Sequence, residues 1–369
     1  MEINKLFEEV SPEAAGVDST KLAAAGAYLD TQFDTGEFPG AALLASRDGK
    51  LFLERYWGTW CSSWRRDNPM KENIRHILYS FSKVVSATVV MRLIDQGLLA
   101  LDAPLSRYIP CFKGGGRDTA TLRHALTHSV GVPNVPFGPV DTEELWHQGV
   151  ELVCSTDLEW EPGTRTFYHA LSGLFLAAEC ARAVTNRTPW PELARKLLFE
   201  PLGGTFGFET PGPTDRAALS PQPLSLPTPF DSAHYGVLGH PAGGVMGTPR
   251  DMMRLLNLHL NHCEWPGGRL LSETAFEEMH RVQYLEQIQS ALAKGQPPTH
   301  EYWALGWLTR GPGANPWFGL PTAMSEATYG HAGINTVIGV ADPETNLAVA
   351  FITTNSPKSD EKTNELRNT

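Results

Sequence analysis

Two pairs of apolar segments, one near each end of the chain, constrain the fold most. In the first pair, AALLAS and LFLERYW flank RDGK, whose Asp48-Gly49 dipeptide is a strong signal for a tight turn between antiparallel strands. In the second pair, TVIGVAD and LAVAFITT flank the turn residues Pro343 to Asn346. The sequence between the two pairs is mostly helical. These features predict one sheet that is built from both ends of the chain, with a helical region inserted into it.

Four helices are clear in the sequence. The first lies within SPEAAGVDSTKLAAAGAYLDTQF, with Asp18 or Ser19 near its cap. The apolar segment VVSATVVMRLIDQG is stopped by Gly97, and LSGLFLAAECARAV is a second apolar helix. A further helix begins at Thr248, where TPRD puts a proline at the first helical position and Asp251 three residues beyond the cap.

Together the strands and helices predict an α/β protein with two domains. Residues 1–79 plus 265–369 are expected to form an antiparallel sheet flanked by helices. Residues 80–264 are expected to form a mostly helical domain, with the functional site between the two.

One lysine interrupts HILYSFSKVVSATVVM, an otherwise apolar segment of residues 76–91. A helix that starts near Ser80 places Ser80 and Lys83 on one face, because positions i and i+3 are neighbours. Burial disfavours a charged lysine, and a neutral lysine can take a proton from an adjacent hydroxyl. The free N–H groups at the helix N-terminus favour the anion that results. The segment therefore predicts a serine nucleophile with a lysine base one turn away.

The same spacing also occurs where it can have no such function. Ser359 and Lys362 repeat it in the charged tail, where nothing could activate the serine. The structural alternative for Lys83 is that its ammonium reaches the surface while its stem covers apolar neighbours. The apolar surroundings favour the catalytic interpretation, because an unpaired buried charge is costly.

Composition and charge exclude several classes of protein. The net charge of -11, without a basic block, argues against nucleic-acid binding. No apolar run approaches the roughly 20 residues of a membrane helix, and the opening residues lack the pattern of a signal peptide. The five cysteines are scattered and have no CxxC spacing, which favours reduced thiols in a cytoplasmic protein.

No cofactor or metal site is predicted. His124 and His128 have the spacing of a helical zinc site, but Ala125 stands where an HExxH motif has its glutamate. A packing or capping role is the more common use of such histidines. His259, His262 and Cys263 form a similarly weak pattern.

Three short motifs resemble those of the serine β-lactamase and penicillin-binding-protein-like family. That family has S-x-x-K, Y-x-N and K-T-G or an H-x-G variant, and this chain has SFSK, then YHA at Tyr168, then HAG at His331. The segments LIDQGLLALDAPLSRYIP, TLRHALTHSVGVP, PAGGVMGTPRDMMRLLNLHL and YWALGWL also resemble that family, in the right order. The resemblance covers roughly Phe38 to Asn355. It is closest to the class C β-lactamase-like branch, which includes carboxylesterases, D-amino-acid amidases and peptidases, and acyltransferases.

The resemblance implies an acyl-enzyme mechanism and a role for each matching residue. Ser80 would attack the acyl carbon, and Lys83 would hold or accept its proton. Tyr168 would relay a proton to the leaving group, which a phenol near pKa 10 does poorly unless a cation such as Lys83 lowers its pKa. The backbone N–H groups of Ser80 and Ile334 would form the oxyanion hole. Gly333 would leave room for the substrate against its strand.

Two departures from the family motifs narrow the expected substrate. Ala170 replaces the asparagine of Y-x-N, so a side-chain amide that would bind an acyl-amide substrate is missing. His331 replaces the lysine of K-T-G and would be a weaker, pH-dependent partner for a substrate carboxylate. Both changes weaken the case for penicillins or cell-wall peptides and favour an ester or a small amide.

The sequence thus predicts a serine hydrolase, foremost a carboxylesterase acting on small or short-chain acyl esters. Its partner would be a small-molecule ester or amide, without nucleic acid or membrane. The alternatives are an acyltransferase, a D-amino-acid amidase or peptidase, a weak β-lactamase, and a non-catalytic binding protein on the same fold. Aromatic residues that precede the two site segments are candidates for an apolar acyl pocket, although core packing is their more common use: Trp57, Trp60, Trp64, Trp303, Trp307, Trp317 and Phe318.

Overall fold

The computed structural model describes residues 7–34, 40–59, 69–135, 137, 139–208, 239–265, 267–312, 320–334 and 337–353. The strands in these ranges are β1 Glu8–Glu9, β2 Gly40–Arg47, β3 Lys50–Gly58, β4 His76–Ile77, β5 Met246–Gly247, β6 Glu264–Trp265, β7 Gly268–Arg269, β8 Leu308–Thr309, β9 Tyr329–Gly333, β10 Val337–Asp342 and β11 Leu347–Thr353. The α-helices are α1 Ser19–Asp34, α2 Ser82–Asp95, α3 Leu122–Leu126, α4 Glu143–Ser155, α5 Ser172–Val184, α6 Trp190–Ala194, α7 Glu200–Leu202, α8 Pro249–Leu260, α9 Glu273–His280 and α10 Leu285–Ala293. Short 3₁₀ turns cover Glu13–Ala15, Tyr79–Phe81, Leu105–Arg107 and Arg117–Thr119, and Arg195–Phe199 is a π-helical turn.

Within the described ranges, seven strands form one mixed sheet in the order β1-β3-β2-β11-β10-β9-β8. Both predicted hairpins are present, β2 with β3 and β10 with β11. Asp48 and Gly49 have φ values of 52° and 70°, the left-handed conformations that a type I′ turn requires. Because β11 pairs with β2, the two ends of the chain share one sheet, and the predicted α/β fold class is confirmed.

The helix boundaries follow the predicted capping residues. Asp18 Oδ1 accepts the N–H groups of Thr20 and Lys21, which caps the start of α1. The chain leaves α2 at Gly97, whose φ of 72° is left-handed. Thr248 and Asp251 form the reciprocal capping box at the start of α8.

Helix α8 packs against the sheet, in contact with β2, β10 and β11. The Ser46 hydroxyl of β2 donates to Asn257 Oδ1 of α8 at 3.0 Å, in a buried position. The helix therefore lies on the sheet although its residues fall within the range predicted for the helical domain. The division into 1–79 plus 265–369 and 80–264 stays a prediction. None of the helices in the described ranges is long and apolar enough to cross a membrane.

The start of α2 is held between the sheet and the inserted helices. The Tyr79–Phe81 turn contacts β9 and β10, while α2 itself packs against α5. Side chains from Ser82 to Met91 are all buried. This packing places the SFSK segment where the last strands of the sheet meet the helical region.

Burial lowers the pKa of six histidines to about 3 or about 4: His76, His124, His169, His240, His259 and His331. In the unfolded chain such groups bind protons near pH 6.5. Between about pH 6.5 and 4 the unfolded state therefore binds more protons than the folded state does. The free energy of unfolding should consequently decrease as the pH falls through this range.

We expect the His76→Leu variant to resist acid better than the wild type. His76 is 1% exposed, and both of its ring nitrogens lack a hydrogen-bond partner among the described residues. Below pH 6.5 the free energy of unfolding should fall less steeply in the variant, by roughly 1.4 kcal/mol per pH unit. Urea unfolding at pH 7 and pH 5 measures the difference. The control is His147→Leu, since that side chain is 70% exposed and its variant should follow the wild type. If the free energy of unfolding falls equally between pH 7 and pH 5 in His76→Leu and the wild type, the prediction is contradicted.

Candidate active site

Ser80 lies in the Tyr79–Phe81 turn that leads directly into α2. The α-helix begins two residues later than expected, at Ser82, and this turn supplies the missing part of the first turn. Tyr79 is buried and has a φ of 45°, an uncommon conformation for a residue with a side chain. Such strain persists where the surrounding structure fixes it, often at functional sites. Here it presents the Ser80 side chain, which is only partly buried, to the space beside the helix.

Lys83 lies one turn further along and is fully buried. Its Nζ is 2.9 Å from Ser80 Oγ and donates to the carbonyl oxygen of Ala242 at 3.0 Å. The ammonium therefore does not reach the surface. Burial holds the pKa of Lys83 well below its usual value. A neutral amine in this position has a lone pair available for the Ser80 proton.

Tyr168 comes from the loop before α5 and meets the same oxygen. Its hydroxyl donates to Ser80 Oγ at 2.6 Å. Lys83 Nζ lies 4.9 Å from the centre of the Tyr168 ring. The structure thus brings together the three side chains that the sequence motifs singled out.

The expectation that Lys83 lowers the pKa of Tyr168 is wrong. Burial raises the pKa of Tyr168 above 10, and the hydrogen bond with Ser80 offsets only part of this effect. The reason is that the Tyr168 side chain is desolvated, and burial disfavours the charged phenolate more than the hydrogen bond with Ser80 favours it. Tyr168 is therefore a protonated phenol, suited to donate a proton.

Strand β9 brings Gly333 to the turn that carries Ser80, and Ile334 directly follows Gly333. A side-chain carbon at Gly333 would lie 2.5 Å from the Leu78 carbonyl oxygen and 3.0 Å from Tyr79 Cβ. The close approach of the strand to the Ser80 turn therefore requires a glycine here, whatever its predicted role in making room for a substrate. Ile334 has a φ of 40° and is 43% exposed, so the backbone turns sharply at the residue predicted to supply an oxyanion N–H.

His331 lies on β9 with its ring buried, and its Nδ1–H donates to the Ala332 carbonyl oxygen at 2.7 Å. Burial, followed by the nearby Lys83, lowers the pKa of His331 to about 3. The ring is therefore neutral at ordinary pH. Burial therefore removes the positive charge expected of His331, while its contact with the substrate stays a prediction.

One segment next to the site was missed from the sequence, where PAGGV only contributed to the family resemblance. Residues 241–245 are hydrogen-bonded to the start of α2. The Ser86 hydroxyl donates to the Pro241 carbonyl at 2.6 Å, and the Val245 N–H donates to Ser82 Oγ at 3.0 Å. The Ala242 carbonyl between them accepts from Lys83. No sequence pattern marks a backbone carbonyl as a lysine partner.

A cavity of about 720 Å³ opens beside Tyr168. Its lining includes Asn134, whose Oδ1 also accepts the N–H of Ala170, the residue that replaces the motif asparagine. Phe167, Pro297 and Pro298 give it apolar walls. This volume is within the range of small-molecule sites.

The aromatic residues considered for an apolar acyl pocket lie in different parts of the structure. Trp303 is fully buried and its ring is nearly parallel to that of Tyr168, at 15° and 6.1 Å between centres. Trp57 instead stacks on Phe33 of α1, and Trp307 packs edge-on against His259 in the core. The remaining four, Trp60, Trp64, Trp317 and Phe318, lie outside the described residues.

The weak histidine patterns have structural roles in the described part of the chain. His124 Nδ1 accepts the Thr121 N–H at 3.1 Å in the capping box of α3. His259 bonds Thr88 and His280, while His262 pairs with Glu273. No group of three or more His, Cys, Asp or Glu side chains in the described ranges is arranged to hold a metal ion.

The fold and the nucleophile site define the chain as a serine hydrolase. A family model described as "Beta-lactamase" matches residues 25–368, and the chain belongs to this family.

Three relatives illustrate the likeness. The esterase/beta-lactamase LipL of Mycobacterium tuberculosis is 25% identical, over 87% of this chain and 78% of its own. The D-alanyl-D-alanine-carboxypeptidase/endopeptidase AmpH of Escherichia coli is 25% identical, over 89% of this chain and 83% of its own. The solved structure of a family VIII carboxylesterase has a TM-score of 0.71 at 20% identity, covering 94% of this chain and 96% of that one. This last likeness concerns the fold.

Proposed function

We propose that the protein is a carboxylesterase that acts on small or short-chain acyl esters through an acyl-enzyme on Ser80. The observation that carries this proposal is the convergence on Ser80 Oγ of the Tyr168 hydroxyl at 2.6 Å and Lys83 Nζ at 2.9 Å. One oxygen thus has both a base and an acid within hydrogen-bond reach.

In the acylation step, neutral Lys83 takes the Ser80 proton while Oγ bonds to the ester carbonyl carbon. The oxyanion that forms would be stabilised by the backbone N–H groups of Ser80 and Ile334. When the tetrahedral intermediate collapses, the bond to the leaving oxygen breaks and Tyr168 protonates that oxygen. The proton on Lys83 then restores the Tyr168 phenol. In deacylation, water attacks the acyl carbon and loses a proton to the same groups. The bond between the acyl carbon and Ser80 Oγ then breaks, which releases the acid, and Oγ takes the proton back.

The raised pKa of Tyr168 supports the role of proton donor. The lowered pKa of Lys83 supports the role of proton acceptor. Environments that push the pKa values of two neighbouring groups in opposite senses are typical of acid–base pairs.

Two residues favour an ester over a β-lactam or a cell-wall peptide. Ala170 offers no side-chain amide to an acyl-amide substrate. His331 is neutral and buried, so it offers no charge to a substrate carboxylate. The name of one relative, an esterase/beta-lactamase, includes an esterase activity.

A D-amino-acid peptidase is the second candidate, favoured by the likeness to AmpH over most of the chain. It would use the same three residues, because an amide differs from an ester mainly in its poorer leaving group. Transfer of the acyl group to an alcohol instead of water is a variant of the proposed chemistry. The cytoplasmic location stays a prediction.

Ester hydrolysis should exceed β-lactam hydrolysis by orders of magnitude in kcat/KM. The test is a panel of p-nitrophenyl esters of graded chain length, alongside nitrocefin and D-alanyl p-nitroanilide. We expect the highest kcat/KM on the short-chain esters, because Ala170 offers no side-chain amide and the His331 ring no charge to nitrocefin. The anilide has a poorer leaving group than an ester. Comparable rates on nitrocefin would show that Ala170 and His331 do not discriminate. The highest rate on the anilide would favour the peptidase instead.

A further inference from the structure

His128 binds the backbone on both sides of Tyr168. Its carbonyl oxygen accepts the Phe167 N–H at 3.0 Å, and its ring Nδ1 accepts the His169 N–H at 3.2 Å. The residues before and after Tyr168 are thus both tied to one residue of another loop.

The His128 ring also forms part of the wall behind the phenol. It lies 4.8 Å from the Tyr168 ring and meets Trp303 edge-on at 4.4 Å, measured between ring centres. His128 is fully buried. Its backbone has a φ of 57°, a left-handed conformation that histidine, asparagine and aspartate tolerate better than most residues.

The hydrogen bond from His169 determines the protonation state of the ring. Nδ1 can accept an N–H only if it carries no proton, so the ring is neutral with its proton on Nε2. Burial, followed by His169, Lys83 and His331, keeps the pKa of His128 well below 6.5. The ring therefore keeps its acceptor over the whole range in which the enzyme would work.

We propose that His128 is a positioning residue, which holds the Tyr168 hydroxyl on Ser80 by binding the peptide groups on either side of Tyr168. It exchanges no proton with the substrate. This role rests on the proposed function, in which Tyr168 protonates the leaving group. A displaced Tyr168 would leave Ser80 and Lys83 intact but would deprive the departing alkoxide of its proton.

The test compares His128→Leu with His128→Asn on two esters of the same acid. An alkyl ester needs a proton for its leaving group, whereas p-nitrophenolate departs without one. In His128→Leu we expect kcat/KM for the alkyl ester to fall about 10²-fold, the effect of a small misplacement of a reacting group. The p-nitrophenyl ester should lose far less. Asparagine places an acceptor near the position of Nδ1 and tolerates the same φ, so His128→Asn should recover most of the loss.

The control is His76→Leu, the same substitution at another buried histidine, which should leave both esters unaffected. If His128→Leu does not fold, His128→Gln replaces it, because glutamine carries its acceptor one bond too far. Equal losses on the two esters would indicate a general structural role and overturn the proposal. So would equal activity of the asparagine and glutamine variants.

Hydrogen exchange separates this proposal from the proposed function. Exchange of the Phe167 to Ala170 amides should accelerate in His128→Leu and stay slow in His128→Asn, whatever the enzyme hydrolyses. If the wild type hydrolyses neither ester but exchange behaves in this way, the proposed function fails and the role of His128 in holding the loop stands. Unchanged exchange in His128→Leu overturns the role of His128 even if the esterase activity is present.

Discussion

Ser80→Ala should lose ester hydrolysis by about 10⁴- to 10⁶-fold in kcat, the usual cost of removing a nucleophile. No other described side chain is hydrogen-bonded to both Tyr168 and Lys83, as Ser80 is. The fold should survive, because Ser80 is only partly buried and alanine fits the same turn. A fluorophosphonate should add one phosphonyl mass to the wild type, on the peptide that contains Ser80. Intact-mass spectrometry measures the added mass, and peptide mapping locates the peptide that carries it.

The tail offers a matched control for this variant. Ser359 and Lys362 have the same spacing as Ser80 and Lys83, in a part of the chain outside the described residues. Ser359→Ala should therefore keep full activity and full labelling. Labelling that persists in Ser80→Ala would show that the nucleophile has been assigned to the wrong residue.

Lys83→Arg should be nearly as damaging as Lys83→Met, with a loss on the order of 10²–10⁴ in kcat for each. Arginine keeps the positive charge but does not deprotonate in a protein, and its planar guanidinium does not fit a site built for one nitrogen. Lys83 is fully buried, with its nitrogen 2.9 Å from Ser80 Oγ and 3.0 Å from the Ala242 carbonyl, so the larger guanidinium has to displace these neighbours. Steady-state kinetics on a p-nitrophenyl ester give the comparison.

The stability of Lys83→Met should be equal to or above that of the wild type near pH 7. The pKa of Lys83 is well below 10.5 in the folded protein, so at neutral pH the unfolded state binds more protons there than the folded state does. This linkage opposes folding below pH 10.5, and the penalty disappears as the pH rises through that value. Methionine removes the penalty and fills a similar volume, although it leaves the Ala242 carbonyl without its donor. Thermal unfolding at pH 7 compares the midpoint of Lys83→Met with that of the wild type.

Two outcomes would contradict the role of Lys83 as a base. An active Lys83→Arg would show that a fixed charge suffices, and an unfolded Lys83→Met would show that the lysine is required for structure. The tail variant Lys362→Met is the control, and its activity and thermal midpoint should match those of the wild type.

Local patterns were sufficient for much of this protein. The Asp48-Gly49 turn specified the first hairpin, because a two-residue turn needs left-handed residues that few side chains allow. Thr248 and Asp251 specified the start of α8 for a similarly local reason. The spacing of Ser80 and Lys83 predicted their contact, since three residues in a helical turn fix the distance between two side chains. Such features depend on neighbours in the sequence and can be read from it.

The sequence by itself therefore determined the paired hairpins, the main helices and the contact between Ser80 and Lys83. Only the tertiary structure decided the protonation states and the surroundings of the site. The phenol of Tyr168 is kept protonated and the His331 ring neutral by burial, which depends on what packs around them and not on the motifs in which they stand. The partners Ala242 and His128 lie 159 residues from Lys83 and 41 residues from His169. Contacts over such separations exist only once the chain has folded, because packing of distant segments brings those backbone and ring atoms together.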